Sequence, residues 1–108
     1  MFRKIKKAYQ RAARGYADED IWSLDMYLAK WMPDALRQLK NQKHGIPIEF
    51  LDSTEEWDVI MDTMIAGFEA ARDIQEFNFE TNQECEVLLD IWQKGGTLFV
   101  KHFFSLWD

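Results

Sequence analysis

At 108 residues the chain has the length of one domain, and 47% apolar residues are enough to build a core. Its net charge of −6 is unevenly spread: residues 1–14 hold six basic side chains and no acid, leaving seven basic against nineteen acidic groups, a net of −12, in the remainder. Such a body repels nucleic acid and anionic membranes, the single Cys85 excludes an internal disulfide, and no apolar run has membrane-spanning length.

The first segment, FRKIKKAYQRAARGY (2–16), places Phe2, Ile5, Tyr9 and Ala12 on one helical face with Arg3, Lys4, Lys6, Lys7, Arg11 and Arg14 around it. Its charge is that of a signal-peptide n-region, but no apolar h-region follows, so a soluble protein of a reducing compartment is expected. A basic amphipathic helix of this kind suits a membrane surface, nucleic acid, an acidic partner or the acidic body of its own chain. Gly15 is placed to end it.

The stretch 15–40, GYADEDIWSLDMYLAKWMPDALRQLK, is the expected central helix, running from Asp18 to about Gln42. Asp18, Glu19 and Asp20 meet the positive end of the helix dipole, and Asp18 can cap a free N–H. Ile21, Leu24, Leu28, Trp31, Ala35 and Leu39 recur at steps of three and four as the predicted apolar stripe. Pro33 predicts a kink near Trp31, or a break with Pro33 opening a second helix. Asp25 falls between Ile21, Trp22, Leu28 and Ala29, so it is expected to be half-buried against an Arg, Lys, His or Trp N–H.

His44-Gly45 marks the end of that helix, and Pro47 biases Ile46 toward extended backbone, so 44–52 is expected to be a connection. Ser53 and Glu56 have the spacing of a capping box. Trp57, Ile60, Met61, Met64, Ile65, Phe68, Ala71 and Ile74 then form a seam about five turns long, with Asp58, Asp62, Glu69, Asp73 and Glu76 outside and Arg72 spaced to pair with Glu69 and Glu76. Thr81 and Glu84 repeat the capping-box spacing before a last helix with Cys85, Leu88, Trp92, Phe99, Phe103 and Leu106 in register. Gly95-Gly96 costs that helix about 1 kcal/mol per residue relative to Ala; Gly95 lies in the seam, where it admits a close neighbour or breaks the helix. The bulky ending LFVKHFFSLWD is expected to be covered by the domain or by an oligomer. The expected fold is therefore all-α and single-domain (1–108): a compact bundle of three long helices, the central one kinked or broken at Pro33, plus the short basic N-terminal helix.

The segments RGYADEDIWSLDMYLAKWMPDALRQLK, HGIPIEF, EEWDVIMDTMIAGFEAARD and LFVKHFFSLWD, which span nearly the whole chain, resemble a family of small uncharacterised bacteriophage proteins. The resemblance implies a phage origin and a place in the cytoplasm of an infected bacterium, and it carries no assigned activity or catalytic residue. Family members have a longer stretch before the final LF segment, where this chain has Gly95-Gly96.

Catalytic material is sparse. Glu55/Asp58, Asp58/Asp62 and Glu86/Asp90 have the one-turn spacing with which all-α nucleotide pyrophosphohydrolases hold Mg²⁺, but a chain with nineteen acids yields such pairs by chance. His44, His102 and Cys85 make no zinc or nucleophile pattern, and His102 reads as a core histidine. No metal or cofactor is expected. Five Trp in a chain that is 15% aromatic point instead to contact surfaces, with Trp22, Asp25, Trp31, Trp92, Phe104 and Trp107 as candidate binding residues. The expectation is a non-catalytic phage accessory protein that binds a host or phage macromolecule, a protein partner above nucleic acid, and forms a homodimer through aromatic contacts around its last helix. The alternatives are a Mg²⁺-dependent nucleotide hydrolase or nucleotide-binding bundle, and a minor virion or assembly component.

Overall fold

In a computed structural model, which describes residues 2–42, 50 and 54–107, the chain order is α1 (Phe2–Arg14), α2 (Asp18–Trp22), α3 (Leu24–Gln42), α4 (Thr54–Gln75) and α5 (Asn82–Lys101), closed by a 3₁₀ turn at Phe103–Ser105. The described residues contain helices and no strand. None of these helices is long and apolar enough to cross a membrane. His44, the 44–52 connection apart from Phe50, and the Ser53 cap lie outside the described residues.

α4 is the centre. Its predicted seam is the core: Trp57, Met61, Met64, Ile65 and Phe68 are buried, joined by Leu36 of α3. α3 packs on one flank of α4 and α5 on the other, and these two flanking helices form no comparable interface with each other. The result is a layer rather than a closed bundle, with extents of 52 × 39 × 19 Å. Its radius of gyration is 16.1 Å, against about 13 Å for a compact domain of this length.

Gly95 sits inside a continuous α5 and is buried against α4. A Cβ at Gly95 would stand 2.6 Å from the Thr63 carbonyl oxygen and 2.7 Å from the Gly67 Cα, and one at Gly67 would stand 2.8 Å from the Gly95 Cα. The two backbones touch, so any side chain at either position pushes the helices apart. Thr81 caps α5 as its spacing predicts, accepting from the Glu84 N–H at 3.1 Å, while the Glu84 carboxylate accepts from the N–H of Glu80 at 2.7 Å.

The central helix differs from expectation. It is broken at Ser23 (φ −142°, ψ 65°), and α3 runs unbroken through Pro33, whose ring is fully buried. Burial of that ring, at about 0.8 kcal/mol per CH₂, offsets much of the roughly 3 kcal/mol that proline costs in a helix interior. α3 restarts from Ser23, whose carbonyl accepts from the Tyr27 N–H at 3.0 Å. The buried stripe of α3 is Ala29, Pro33 and Leu36, about a third of a turn from the predicted one, which leaves Ile21, Leu24, Leu28 and Trp31 exposed. Within the single chain the bulky C-terminal ending is covered only in part. His102 is buried edge-on against Trp57 and Phe50, and Phe99 and Leu106 are half-covered, but Val100, Phe103, Phe104 and Trp107 are exposed, Phe104 at 92%.

The backbone contact makes a paired prediction. Gly95→Ala gains about 1 kcal/mol of helix propensity but forces two backbones apart, so a net loss of about 2 kcal/mol is expected. Gly96→Ala meets only the Trp92 ring at 3.5 Å, an ordinary contact, and should leave stability level or raise it. Urea unfolding midpoints of the two variants measure the difference.

Candidate functional site

The α1–α2 hairpin is held by charge. Gly15 (φ 89°) ends α1, its N–H bonding the Arg11 carbonyl at 2.8 Å, and the chain turns back so that Asp18, Glu19 and Asp20 face the basic stripe. Arg3 and Lys7 pair with Glu19, Arg14 and Lys6 with Asp18, and Arg11 takes Asp20 in a two-pronged contact at 2.9 and 2.6 Å. Asp20 is the buried carboxylate of the chain's described part, and it also accepts from the Ala17 N–H at 2.7 Å. That bond caps α2, whereas Asp18, the predicted cap, instead accepts from Arg14 and Gln10. The Arg11 hydrogen bonds hold the Asp20 carboxyl down at about 2, burial opposing them and the Ala17 N–H reinforcing them. Asp18 is lowered chiefly by Arg14, and Glu19 chiefly by Arg3.

Two concavities lie on opposite sides of α3. The first, a cleft of about 710 Å³, is bounded by α1, α2, α3 and the end of α4. Trp31, Tyr27 and Met26 line it with Arg11, Arg72 and Lys30, and Asp34 and Glu76 stand at its edge. Tyr27 is fixed there: its hydroxyl donates to the Gly15 carbonyl at 2.8 Å, the Arg11 guanidinium lies 5.6 Å from its ring centre, and Trp31 leans on it at 6.2 Å. The second is an apolar groove between α3 and α5 with Phe68 of α4 as its floor. Its two parts hold about 630 and 470 Å³, and both are walled by Leu28 and Trp92.

The candidate binding residues are therefore divided. Trp31 is in the cleft; Trp92 and Asp25 line the groove; Phe104 and Trp107 are exposed past the end of α5; Trp22 is exposed on α2 and lines neither concavity. Trp92 is half-buried, edge-on to Phe68 at 5.2 Å. Asp25 is exposed, not half-buried, and its partner is the Gln75 amide at 2.9 Å. Of the basic patch, Arg3, Lys6, Lys7, Arg11 and Arg14 are spent on the chain's own acids, which leaves little free positive charge for an anion. Glu69 is taken by Arg37 of α3, in place of the predicted Arg72.

Among the described residues no three His, Cys, Asp or Glu side chains gather where a metal ion could be held. Of the carboxylate pairs, Glu55, Asp62, Glu86 and Asp90 are exposed, with Asp62 on Lys40 at 2.6 Å and Asp90 on Lys94 at 3.1 Å, whereas Asp58, expected on the outer face, is half-buried with one oxygen shielded from solvent.

Phe77 is a residue the sequence reading missed. It closes α4 in left-handed backbone (φ 56°), where glycine is the unstrained choice, while the Asn78 N–H caps the Asp73 carbonyl at 2.8 Å. It is 79% exposed, and among the described residues its ring meets only a tilted contact with Phe79 at 6.2 Å in return for the strain. Compared with protein-family models, with curated proteins and with solved structures, the chain matches none.

The Asp20 clamp predicts an acid transition. Its folded value is depressed, so its contribution is complete above the ordinary value of 3.8 and is lost as pH falls from there to about 2. Hydrogen-exchange protection of α1 should fall across that window. Asp20→Asn should lower it already at neutral pH and flatten the transition.

Proposed function

We propose that this chain is a small bacteriophage accessory protein that acts in the infected bacterium by binding a protein of host or phage, without catalysis. The observation that carries this reading is the composition of the cleft. Trp, Tyr, Arg and Met are the side chains that concentrate binding energy at protein interfaces, and here Trp31, Tyr27, Met26, Arg11 and Arg72 converge on one open concavity. Tyr27 is already immobilised by its hydrogen bond and its cation–π contact, which lowers the entropy lost on binding. Phe77 follows the cleft residue Glu76 in the chain without lining the cleft, and we take its strained, exposed ring as a further contact for the same partner.

Nucleic acid is a poorer fit as a target. The hairpin's basic stripe is matched by its own Asp18, Glu19 and Asp20, and the rest of the body is acidic. The phage setting rests on the sequence resemblance, and the protein-binding reading stands without it.

Affinity capture from infected cells, with tagged wild-type and variant chains, tests the reading. Wild-type chain should retain a specific protein, and Trp31→Ala should weaken its capture by at least about tenfold. Phe77→Gly should stabilise the fold by about 1 kcal/mol while weakening capture, because it removes strain and a contact together. Equal capture by wild-type and Trp31→Ala chains, or Mg²⁺-dependent nucleotide hydrolysis by a chain that retains nothing, would overturn it.

A further inference from the structure

α1 is amphipathic in the opposite sense to an ordinary surface helix. Arg3, Lys7, Arg11 and Arg14 form the stripe that faces its own α2, and Phe2, Ile5 and Tyr9 form the stripe on the far side, about 150° away at 100° per residue. No residue of α1 is buried, and Phe2 is 88% exposed. The chain cannot cover this stripe itself. The turn to α2 is short, and Arg11 anchors α1 on the cleft side of α3, the side opposite the groove.

The groove is the complementary vacancy. α3 and α5 flank α4 without meeting, and the trough between them has apolar walls: Leu28 and Met32 on one side, Trp92 and Val100 on the other. We propose that the chain forms a symmetric homodimer in which α1 of each copy lays Phe2, Ile5 and Tyr9 in the α3–α5 groove of the other.

Three quantities support a second copy as the occupant. The chain exposes 7896 Å², whereas a monomer of 12.9 kDa exposes about 6,300 Å². The surplus of about 1,600 Å² falls within the roughly 1,000–2,500 Å² that each partner contributes to an obligate homodimer. Lengths also match: the α5 wall from Leu89 to Val100 advances about 16 Å, and the α1 stripe from Phe2 to Ala12 about 15 Å. Charge matches too. Lys4, which is not one of the α1 side chains paired with α2, adjoins Ile5 of the apolar stripe, while Asp25 lines the groove and Glu86 shares the stripe of the groove residues Gln93 and Thr97 at helical spacing. Because each copy gives one helix and receives one, the contact closes at two chains.

The inference uses the other side of α3 from the cleft, so it does not rest on the protein-binding reading. Sedimentation equilibrium of the full chain at micromolar concentration tests it. Wild-type protein should show twice the 12.9 kDa chain mass. Ile5→Glu should dissociate at least about tenfold more readily with unchanged helicity, since Ile5 buries nothing within its own chain. Leu28→Glu, in the groove, should do the same, and Trp31→Ala should leave the mass unchanged. A single-chain mass for the wild type overturns the proposal, whether or not α1 then binds vesicles containing phosphatidylglycerol. A dimer that survives Ile5→Glu, or that only Leu28→Glu splits, overturns it as well, because α1 is then not what fills the groove.

Discussion

The contact between Gly67 and Gly95 fixes the geometry from which the rest of the molecule follows. Two helices whose backbones touch stand closer than the 8–10 Å that side chains normally impose. That approach brings Phe68, Trp92 and Phe99 into edge-on contact beside it, with ring centres 5.0 to 5.2 Å apart from Phe68. A tightly joined α4–α5 pair directs its remaining apolar surface sideways, toward α3 and the groove. The weak helix propensity of glycine is outweighed here by apolar area that no alanine would let the helices bury.

Charge governs the other end of the chain in the same way. α1 and α2 contribute nothing buried apart from Asp20, so hydrophobic burial does not place them. Their arrangement comes from matched stripes, five basic side chains against three consecutive carboxylates. Exposed ion pairs are individually weak, but the Arg11–Asp20 pair is two-pronged and partly shielded, and it is backed by the Ala17 N–H. This clamp also explains the break at Ser23. α2 pairs with α1, α3 packs on α4, and one non-helical residue, Ser23, lies between them.

Sequence periodicity revealed the elements that bury a seam and misjudged those set by tertiary pairing. α4 could be read because its apolar positions are numerous and continuous, and α5 because Thr81 and Glu84 bracket its start. α3 could not be phased. Leu24, Leu28 and Trp31 form as regular a stripe as the small residues Ala29 and Pro33, and only the position of α4 decides which is covered. Asp25 stood out in sequence because its neighbours are apolar, yet the buried carboxylate is Asp20, whose partner Arg11 lies nine residues earlier across a turn. A basic stripe at steps of four and three followed by three acids was the signal for that pairing. The cleft was half visible: Trp31 was a candidate, but Tyr27, Met26 and Arg72 join it only through the way α3 lies between the hairpin and the end of α4.

The two sides of α3 thus have different chemistry for a common reason. A three-helix layer with α4 at its centre leaves each flanking helix with one apolar edge that α4 cannot reach. On the groove side that edge stays mainly apolar, and the permanent burial of apolar area is how obligate interfaces are made. On the cleft side the α1–α2 hairpin brings guanidinium and carboxylate groups beside the rings. A mixed surface of that kind survives exposure to water and can exchange partners. The hairpin therefore has two effects at once: its charged face gives the cleft its mixed chemistry, and its outward apolar face is left uncovered within the single chain.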